Sequence, residues 1–307
     1  MKLLIAYDGS KCAEDALDDL ARAGLPRAAE ALVLTVSEVW LPQPASAPGV
    51  AQADIHSSAA PAGKASKKLL EAQELAARAG DRLRSMFPAW SVRAEAATGS
   101  APTRVLEKAD EWGPDLIVVG SHGRSALGRF VIGSVSQKIV TEARTSVRVA
   151  RGSKRPAHSP VRLIIGVDGT HNAELAVRAV ARRWWPAGSE VRLITSMEPL
   201  RIYGQYGSGP ESATVAARES LQAAEKILHA TDLKISSAIK EGDPKRILVS
   251  EAATWKADCI FVGVRGHSLL DRFLLGSVSA AVAQRARCSV EVVRATTTPR
   301  RPRRSSH

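Results

Sequence analysis

Three segments of the chain occur twice, in the same order. LLIAYDGS at 3–10 returns as LIIGVDGT at 163–170, LIVVGSHG at 116–123 as CIFVGVRG at 259–266, and SVRVAR at 146–151 as SVEVVR at 289–294. The last two pairs are offset by 143 residues and the first by 160, so the first half holds 17 extra residues between its opening strand and its glycine-rich loop. In a chain of 307 residues, such a repeat divides the sequence into two similar units, each long enough for its own core. The extra length fits LPQPASAPGVAQADIHSSAAPAG at 41–63, a Pro/Ala/Ser-rich loop, against the shorter YGQYGSG at 203–209. GSKRPAHSP at 152–160 is polar and proline-bearing, as a linker should be. The expected units are residues 1–152 and 160–295, with the linker at 153–159 and a basic tail at 296–307.

Within each unit, short apolar runs alternate with helical patterns. In the first, 3–7, 32–36, 116–119 and 147–150 are dense in Val, Ile and Leu, as strands buried on both faces are. SVRAEAA at 91–97 adds a weaker strand. Helices are expected over 11–24, about 66–86, 102–113 and 134–144; in the second, Leu69, Ala72, Ala76, Ala79, Leu83 and Met86 fall on one face. Strands near 162–167, 190–195, 234–239, 259–262 and 290–293 repeat the pattern. Alternating strand and helix means α/β architecture: two tandem doubly wound domains of Rossmann-like type, each a five-stranded parallel sheet flanked by helices.

Composition removes several classes. No run of 18 apolar residues exists, so no membrane span and no membrane partner are expected. The N-terminal apolar run ends after five residues at Tyr7-Asp8, too short for a signal peptide. Cys12, Cys259 and Cys288 are an odd number without CxxC pairing, which argues against disulfide or metal frameworks and fits a reducing cytoplasm. The net charge of +12 is uneven: residues 1–153 carry 19 basic against 17 acidic side chains, the remainder 24 against 14. Arg294, Arg300, Arg301, Arg303 and Arg304 cluster in RATTTPRRPRRSSH, a segment too polar to bury and expected to be disordered.

Three loops per half should meet beyond the carboxyl ends of the strands, where doubly wound sheets bind ligands. The first is Asp8-Gly9-Ser10, repeated as Asp168-Gly169-Thr170; the glycine permits a tight turn and the hydroxyl caps the next helix. The Asp could accept hydrogen bonds from a ribose or an adenine amine, or help hold a hydrated cation. The second is VGSHGRSALGRFVIGSVSQ at 119–137. Gly120 and Gly123 are followed, after nine residues, by Gly133-Ser134 at the start of a helix. Unpaired N–H groups and a partial positive charge there suit an anion. Ser134 and Ser136 offer hydroxyls and Arg124 a charge. Gly263, Gly266, Gly276 and Ser277 repeat the spacing. The third follows strand two, at Val36-Ser37-Glu38 and Thr195-Ser196-Met197, where a backbone edge could read adenine.

Asp-Gly-Ser/Thr after strand one, combined with G-x2-G-x9-G-S before the last helix, resembles the universal stress protein family over nearly the whole chain. The resemblance is to two tandem domains of the ATP-binding subtype, with the adenine nucleotide α-hydrolase-like fold. It implies ATP, alone or with Mg2+, at Asp8, Val36, Gly120, Gly123, Gly133, Ser134 and Val135, to which the loop itself adds Arg124 and Ser136 as candidate contacts. In the second half it implies Asp168, Thr195, Gly263, Gly266, Gly276, Ser277 and Val278, with Ser279 a further candidate at the place of Ser136. It implies a cytoplasmic stress-response protein acting through nucleotide-dependent binding.

The halves differ. Val264 replaces Ser121, Thr195 is set against Val36, and Asp271 replaces Gly128, where its charge would repel phosphate. The first half is therefore the favoured ATP site. Two other functions compete. Slow ATP hydrolysis or phosphoryl transfer is invited by His122, Arg124, Arg265 and His267, but only Asp8 and Asp168 are at hand as acids and no general base is evident. Nucleic-acid or scaffold binding rests on the basic second half and tail, without a zinc or RNA-binding signature. The halves should pair with each other through their final strands, since those edges are otherwise open to other chains; a homodimer of whole chains is compatible with this.

Overall fold

The computed structural model describes residues 1–38, 59–123, 132–153, 155–157, 159–197, 210–264 and 275–295, without the side chains of 59–64 and 210–212. The first half runs β1 (Lys2–Ala6), α1 (Lys11–Leu20), β2 (Glu30–Ser37), α2 (Ala59–Met86), β3 (Ser91–Thr98), α3 (Ala101–Trp112), β4 (Leu116–Gly120), α4 (Ser134–Glu142) and β5 (Ser146–Ala150). The second repeats it: β6 (Arg162–Gly166), α5 (His171–Ala181), β7 (Glu190–Met197), α6 (Pro210–Leu228), β8 (Lys234–Glu241), α7 (Pro244–Trp255), β9 (Cys259–Gly263), α8 (Ser277–Arg285) and β10 (Ser289–Val293). Helix α2 begins at Ala59, inside the stretch expected to be loop; Pro61 sits in its first turn, where a missing N–H costs nothing.

Local chemistry explains these boundaries. Ser10 and Thr170 cap α1 and α5 by accepting from the N–H of Ala13 and Ala173, each at 3.2 Å. Glu14 and Glu174 add negative charge to the first turns. Ala13, Ala16, Leu17 and Leu20 recur at helical spacing and are buried against the sheet. Gly113 ends α3 in the left-handed conformation; Lys256 does the same for α7 without being glycine.

Each half is a parallel sheet in the order 3-2-1-4-5, and β5 pairs antiparallel with β10, giving one ten-stranded sheet, β3-β2-β1-β4-β5-β10-β9-β6-β7-β8. One face carries a single apolar core across both halves, in which Val149 and Ile139 join Val282 and Val292 beneath α3, α4, α7 and α8. On the other face each half has its own core, beneath α1 and α2 or α5 and α6. Between them, at the central strands, Arg148 and Glu291 are each 1% exposed, Asp19 3% and Arg22 4%. So many charged groups are stable inside only because they are paired.

The last residue of each repeat reaches across. Arg151 donates to the carbonyls of Ala283 (2.8 Å) and Cys288 (3.2 Å), and Arg294 to those of Val140 (2.5 Å) and Thr145 (3.4 Å). Each arginine thus caps the C-terminus of the other half's last helix. Arg294 is 5% exposed, so it belongs to the folded body and not to the basic tail in which the sequence grouped it. Burial pushes its guanidinium down to about 10, still protonated at neutral pH. The arginines at 300–304 lie outside the described residues. Among the described residues no helix is long and apolar enough to cross a membrane.

Candidate functional site

Strand order reverses between β1 and β4, and again between β6 and β9. At each switch point, beyond the carboxyl ends, lies a cavity, of about 420 Å³ in the first half and about 500 Å³ in the second. Val36, Val105, Val119 and Val135 give the first its apolar walls, and Asp8, Thr35, Ser37 and His122 its polar ones. Helix α2 closes one side with Lys68, Glu71, Ala72 and Leu75. The second has Ile194, Leu248, Val262, Val264 and Val278, with Asp168, Ser196, Lys245 and Ser277 as its polar groups; among the described residues none of α6 lines it.

The Asp-Gly-Ser/Thr turns are built alike. Gly9 and Gly169 take φ of 73° and 75°, in the left-handed region. Asp8 Oδ1 accepts from the N–H of Ser10 at 2.9 Å, and Asp168 Oδ1 from that of Thr170 at 3.0 Å and from its hydroxyl at 2.6 Å. One carboxylate oxygen is therefore used in the turn, and both aspartates still line their cavities. Gly123 brings the second loop against the first: a Cβ there would stand 3.1 Å from Asp8 Oδ2.

The glycines of the second loop serve different ends. At Gly120 a Cβ would meet the carbonyl oxygen and carbon of Cys12 at 2.8 and 2.9 Å, so glycine lets the start of α1 pack on the end of β4. Gly263 does the same against Asn172, closer still. Both positions are explained by packing alone. Gly133 is different. Its φ of −66° suits any residue, it makes no side-chain cap, and a Cβ would come no nearer than 3.4 Å to a heavy atom of the described residues. Among the described residues neither backbone nor packing requires glycine at this N-terminus of α4, where an added Cβ would rest in ordinary contact against the backbone of residues 121–123. Gly276 stands at the same place on α8, with φ −65° and ψ 150°.

The hydroxyls of the loop also divide. Ser134 and Ser277 are exposed at the first turns of α4 and α8. Ser136 and Ser279 are buried and donate to the carbonyls of Gly120 (2.7 Å) and Gly263 (2.6 Å), so their protons latch helix to strand and only their oxygens are left for the ligand contacts expected of both. Val135 and Val278 line the cavities. Arg124 and Gly266 lie outside the described residues, as do Gly128, Arg265, His267 and Asp271.

The expected third loop is not a loop: Val36, Ser37 and Thr195–Met197 belong to β2 and β7. The expected match of Val36 with Thr195 is also one residue out. Register places Val36 beside Ala97 and Ser196 beside Lys240, making Ser196 the counterpart of Val36 and Thr195 that of Thr35. Because strand side chains alternate, that slip moves a residue to the other face. Both threonines matter in a way the sequence reading missed. Thr35 and Thr195 are 3% and 6% exposed, and neither hydroxyl has a hydrogen-bond partner. A buried hydroxyl without a partner costs stability, and Thr35 sits in the cavity wall. Threonine at the same strand position in both halves was the available signal.

His122 lines the first cavity. Its Nδ1 lies 3.1 Å from Ser121 Oγ, and its Nε2 is buried without a partner. Burial, and secondarily the Arg151 charge, lower its pKa and favour the neutral ring. The described residues show no cluster of three or more His, Cys, Asp or Glu fit for a metal ion.

The profile of the universal stress protein family matches residues 1–151 and again 161–294. The chain belongs to that family. As a universal stress protein it is 30% identical over 212 residues to Rv2005c of Mycobacterium tuberculosis, a match covering 66% of this chain and 69% of that one. In fold it is similar to a universal stress protein of Archaeoglobus fulgidus, at TM-score 0.63 and 18% identity, over 96% of each chain. A solved universal stress protein in complex with cAMP is 27% identical over 44% of this chain and 98% of its own, at TM-score 0.33.

Proposed function

We propose that this universal stress protein binds an adenine nucleotide, ATP in the first instance, at the first-half cavity. The observation that carries this is Gly133. The N-terminus of α4, which presents Val135 and Ser136 to the cavity, starts at a glycine that neither its backbone nor its described neighbours require, and its first-turn N–H groups suit a phosphate. The apolar walls at Val36, Val105, Val119 and Val135 suit a flat purine, and Asp8 suits a ribose or an adenine amine. The buried Thr35 hydroxyl, which has no protein partner, is placed in the cavity wall to meet a polar ligand. Mg2+, where present, would arrive with the phosphates.

The mode of action is nucleotide-dependent binding in a cytoplasmic stress response, without fast turnover. A ligand specific to the folded state stabilises it by about 2.7 kcal/mol at a concentration about 100 times Kd. Cellular ATP could thus set the protein's stability or choice of partner. Slow hydrolysis is a second reading, favoured by the neutral His122 ring on the cavity wall. The second cavity is the weaker site: Val264 stands where the first half has Ser121, and no described residue of α6 closes it. Titration calorimetry with ATP and ADP tests the reading. Binding to the parent that is lost in Gly133→Val supports it, and no heat of binding with either nucleotide overturns it. ATP turnover that disappears in the same variant would make the site an enzyme; turnover that survives belongs to a contaminant.

A further inference from the structure

The interface between the halves is nearly symmetric, and the exception lies on its axis. Under the repeat offset of 143, Arg151 corresponds to Arg294 and Ser146 to Ser289. Their contacts correspond too: Arg151 N–H donates to Ser289 Oγ at 2.9 Å and Arg294 N–H to Ser146 Oγ at 3.0 Å, and the two arginines cap the opposite helices in the same manner. Contacts of this kind would form equally well between two copies of the first half or two copies of the second.

The same offset carries Arg148 onto Glu291, and these two are directly opposite each other where β5 meets β10. The pseudo-twofold axis therefore runs through the Arg148–Glu291 pair. A residue on such an axis faces its own copy in a like-with-like pairing, as Val149 opposite Val290, just off the axis, does not. Two first halves would set Arg148 against Arg148, and two second halves Glu291 against Glu291, on a strand pair whose opposed side chains lie about 5 Å apart. Both positions are 1% exposed, so solvent would not screen the repulsion.

Each charge has a second partner in its own half, and those partners are asymmetric as well. Asp19 Oδ2 is 2.6 Å from Arg148 Nε, and Arg183 Nη1 is 2.9 Å from Glu291 Oε2. The counterpart of Asp19 is Ala179, and that of Arg183 is Ala23. The result is an alternating row, Asp19–Arg148–Glu291–Arg183, closed at its centre by the 3.3 Å contact of Arg148 with Glu291. Ser289 Oγ also crosses the boundary to Asp19 Oδ1 at 2.7 Å.

We infer that Arg148 and Glu291, with Asp19 and Arg183 behind them, are the specificity determinants of the pairing surface, fitting the first half to the second and rejecting a copy of either. The partner this surface selects is the other half, and the one it excludes is the like half of a second chain. The inference does not depend on nucleotide binding.

The intact chain can be tested with residues the fold already accommodates at related positions. Ala179→Asp, Arg183→Ala and Glu291→Arg together make the second half resemble the first, so that two arginines meet on the axis, each with its own aspartate. Adding Asp19→Ala, Ala23→Arg and Arg148→Glu exchanges the two sets completely and restores one arginine opposite one glutamate. Hydrogen–deuterium exchange of the β5 and β10 amides, with sedimentation for the association state, reads the result. The triple variant should raise exchange at both strands by about tenfold or more, since opposing like charges across an interface outweigh a tenfold change in equilibrium. The sixfold exchange should return it to the parental level. A triple variant as protected as the parent overturns the inference. So does a sixfold variant that stays loose, because the effect would then lie in packing and not in the charges on the axis.

Discussion

Gly120 and Gly133 stand at the two ends of one loop, and alanine at each should have opposite consequences. At Gly120 the new methyl would lie 2.8 Å from the Cys12 carbonyl oxygen and 2.9 Å from its carbon. Both atoms are main chain at the start of α1, so relief needs the helix to move from the strand. Overpacking of this kind costs about 1–3 kcal/mol. With a shift of about 2–4 °C per kcal/mol for chains of this order of size, Tm should fall by about 2–12 °C. At Gly133 the methyl has no neighbour nearer than 3.4 Å among the described residues, and φ of −66° is open to alanine. Alanine is the poorer N-cap by about 0.5–1 kcal/mol, and it stiffens the unfolded chain by about 0.4–1 kcal/mol in the opposite sense. Stability should therefore stay within about 0.5 kcal/mol of the parent. Binding should behave in reverse: a methyl at the mouth of α4 should weaken ATP about tenfold or more, removing about 1.4 kcal/mol of ligand-induced stabilisation. Thermal unfolding with and without ATP measures both effects in one experiment. The reasoning fails if Gly133→Ala lowers Tm as far as Gly120→Ala, or if ATP raises Tm of Gly133→Ala as much as that of the parent.

Two further outcomes concern the interface and the cavity wall. Arg151→Ala should cost about 1–3 kcal/mol by orphaning the carbonyls of Ala283 and Cys288. Its mark should appear as faster amide exchange at the end of α8, in the half to which Arg151 does not belong; a change confined to the first half would contradict the capping account. His122 has its folded pKa below the usual 6.5, so the unfolded chain binds the proton more readily. Its contribution is complete above about pH 6.5 and is lost as pH falls from there through the folded pKa. His122→Gln should flatten that part of the stability profile, read as urea midpoints at about pH 7.5 and about pH 5.5; an unchanged slope would assign the acid loss to other groups.

The strands, the helices between them and the doubling were legible because period and repeat are local signals. The correspondence of β2 with β7 was not: the offset of 160 set by LLIAYDGS puts Val36 with Ser196, whereas the letters at the two strand ends are too unlike to fix the match to one residue. The role of each glycine was also hidden, since Gly120 and Gly133 look alike in the motif and differ only in what surrounds a missing Cβ. Ser136 and Ser134 stand two apart, and only the helix decides that one turns inward to Gly120 and the other outward. Arg294 read as the start of a basic tail because its partners, Val140 and Thr145, are some 150 residues away.

The most informative letter pair was in plain view. SVRVAR and SVEVVR place opposite charges at the middle of otherwise apolar strands. A lone arginine there would be a cost, and so would a lone glutamate. Together, on an axis, they are compensated, and neither repeat makes chemical sense without the other. Duplication alone would have given identical charges at this point, so their opposition shows that the halves have diverged as complements while keeping symmetric caps at Arg151 and Arg294. The same logic extends to the cavities. Once the halves are bound to be different at their junction, nothing in the fold obliges their switch points to stay alike. The α2 wall at one cavity and Lys245 at the other are the places where divergence in ligand would begin.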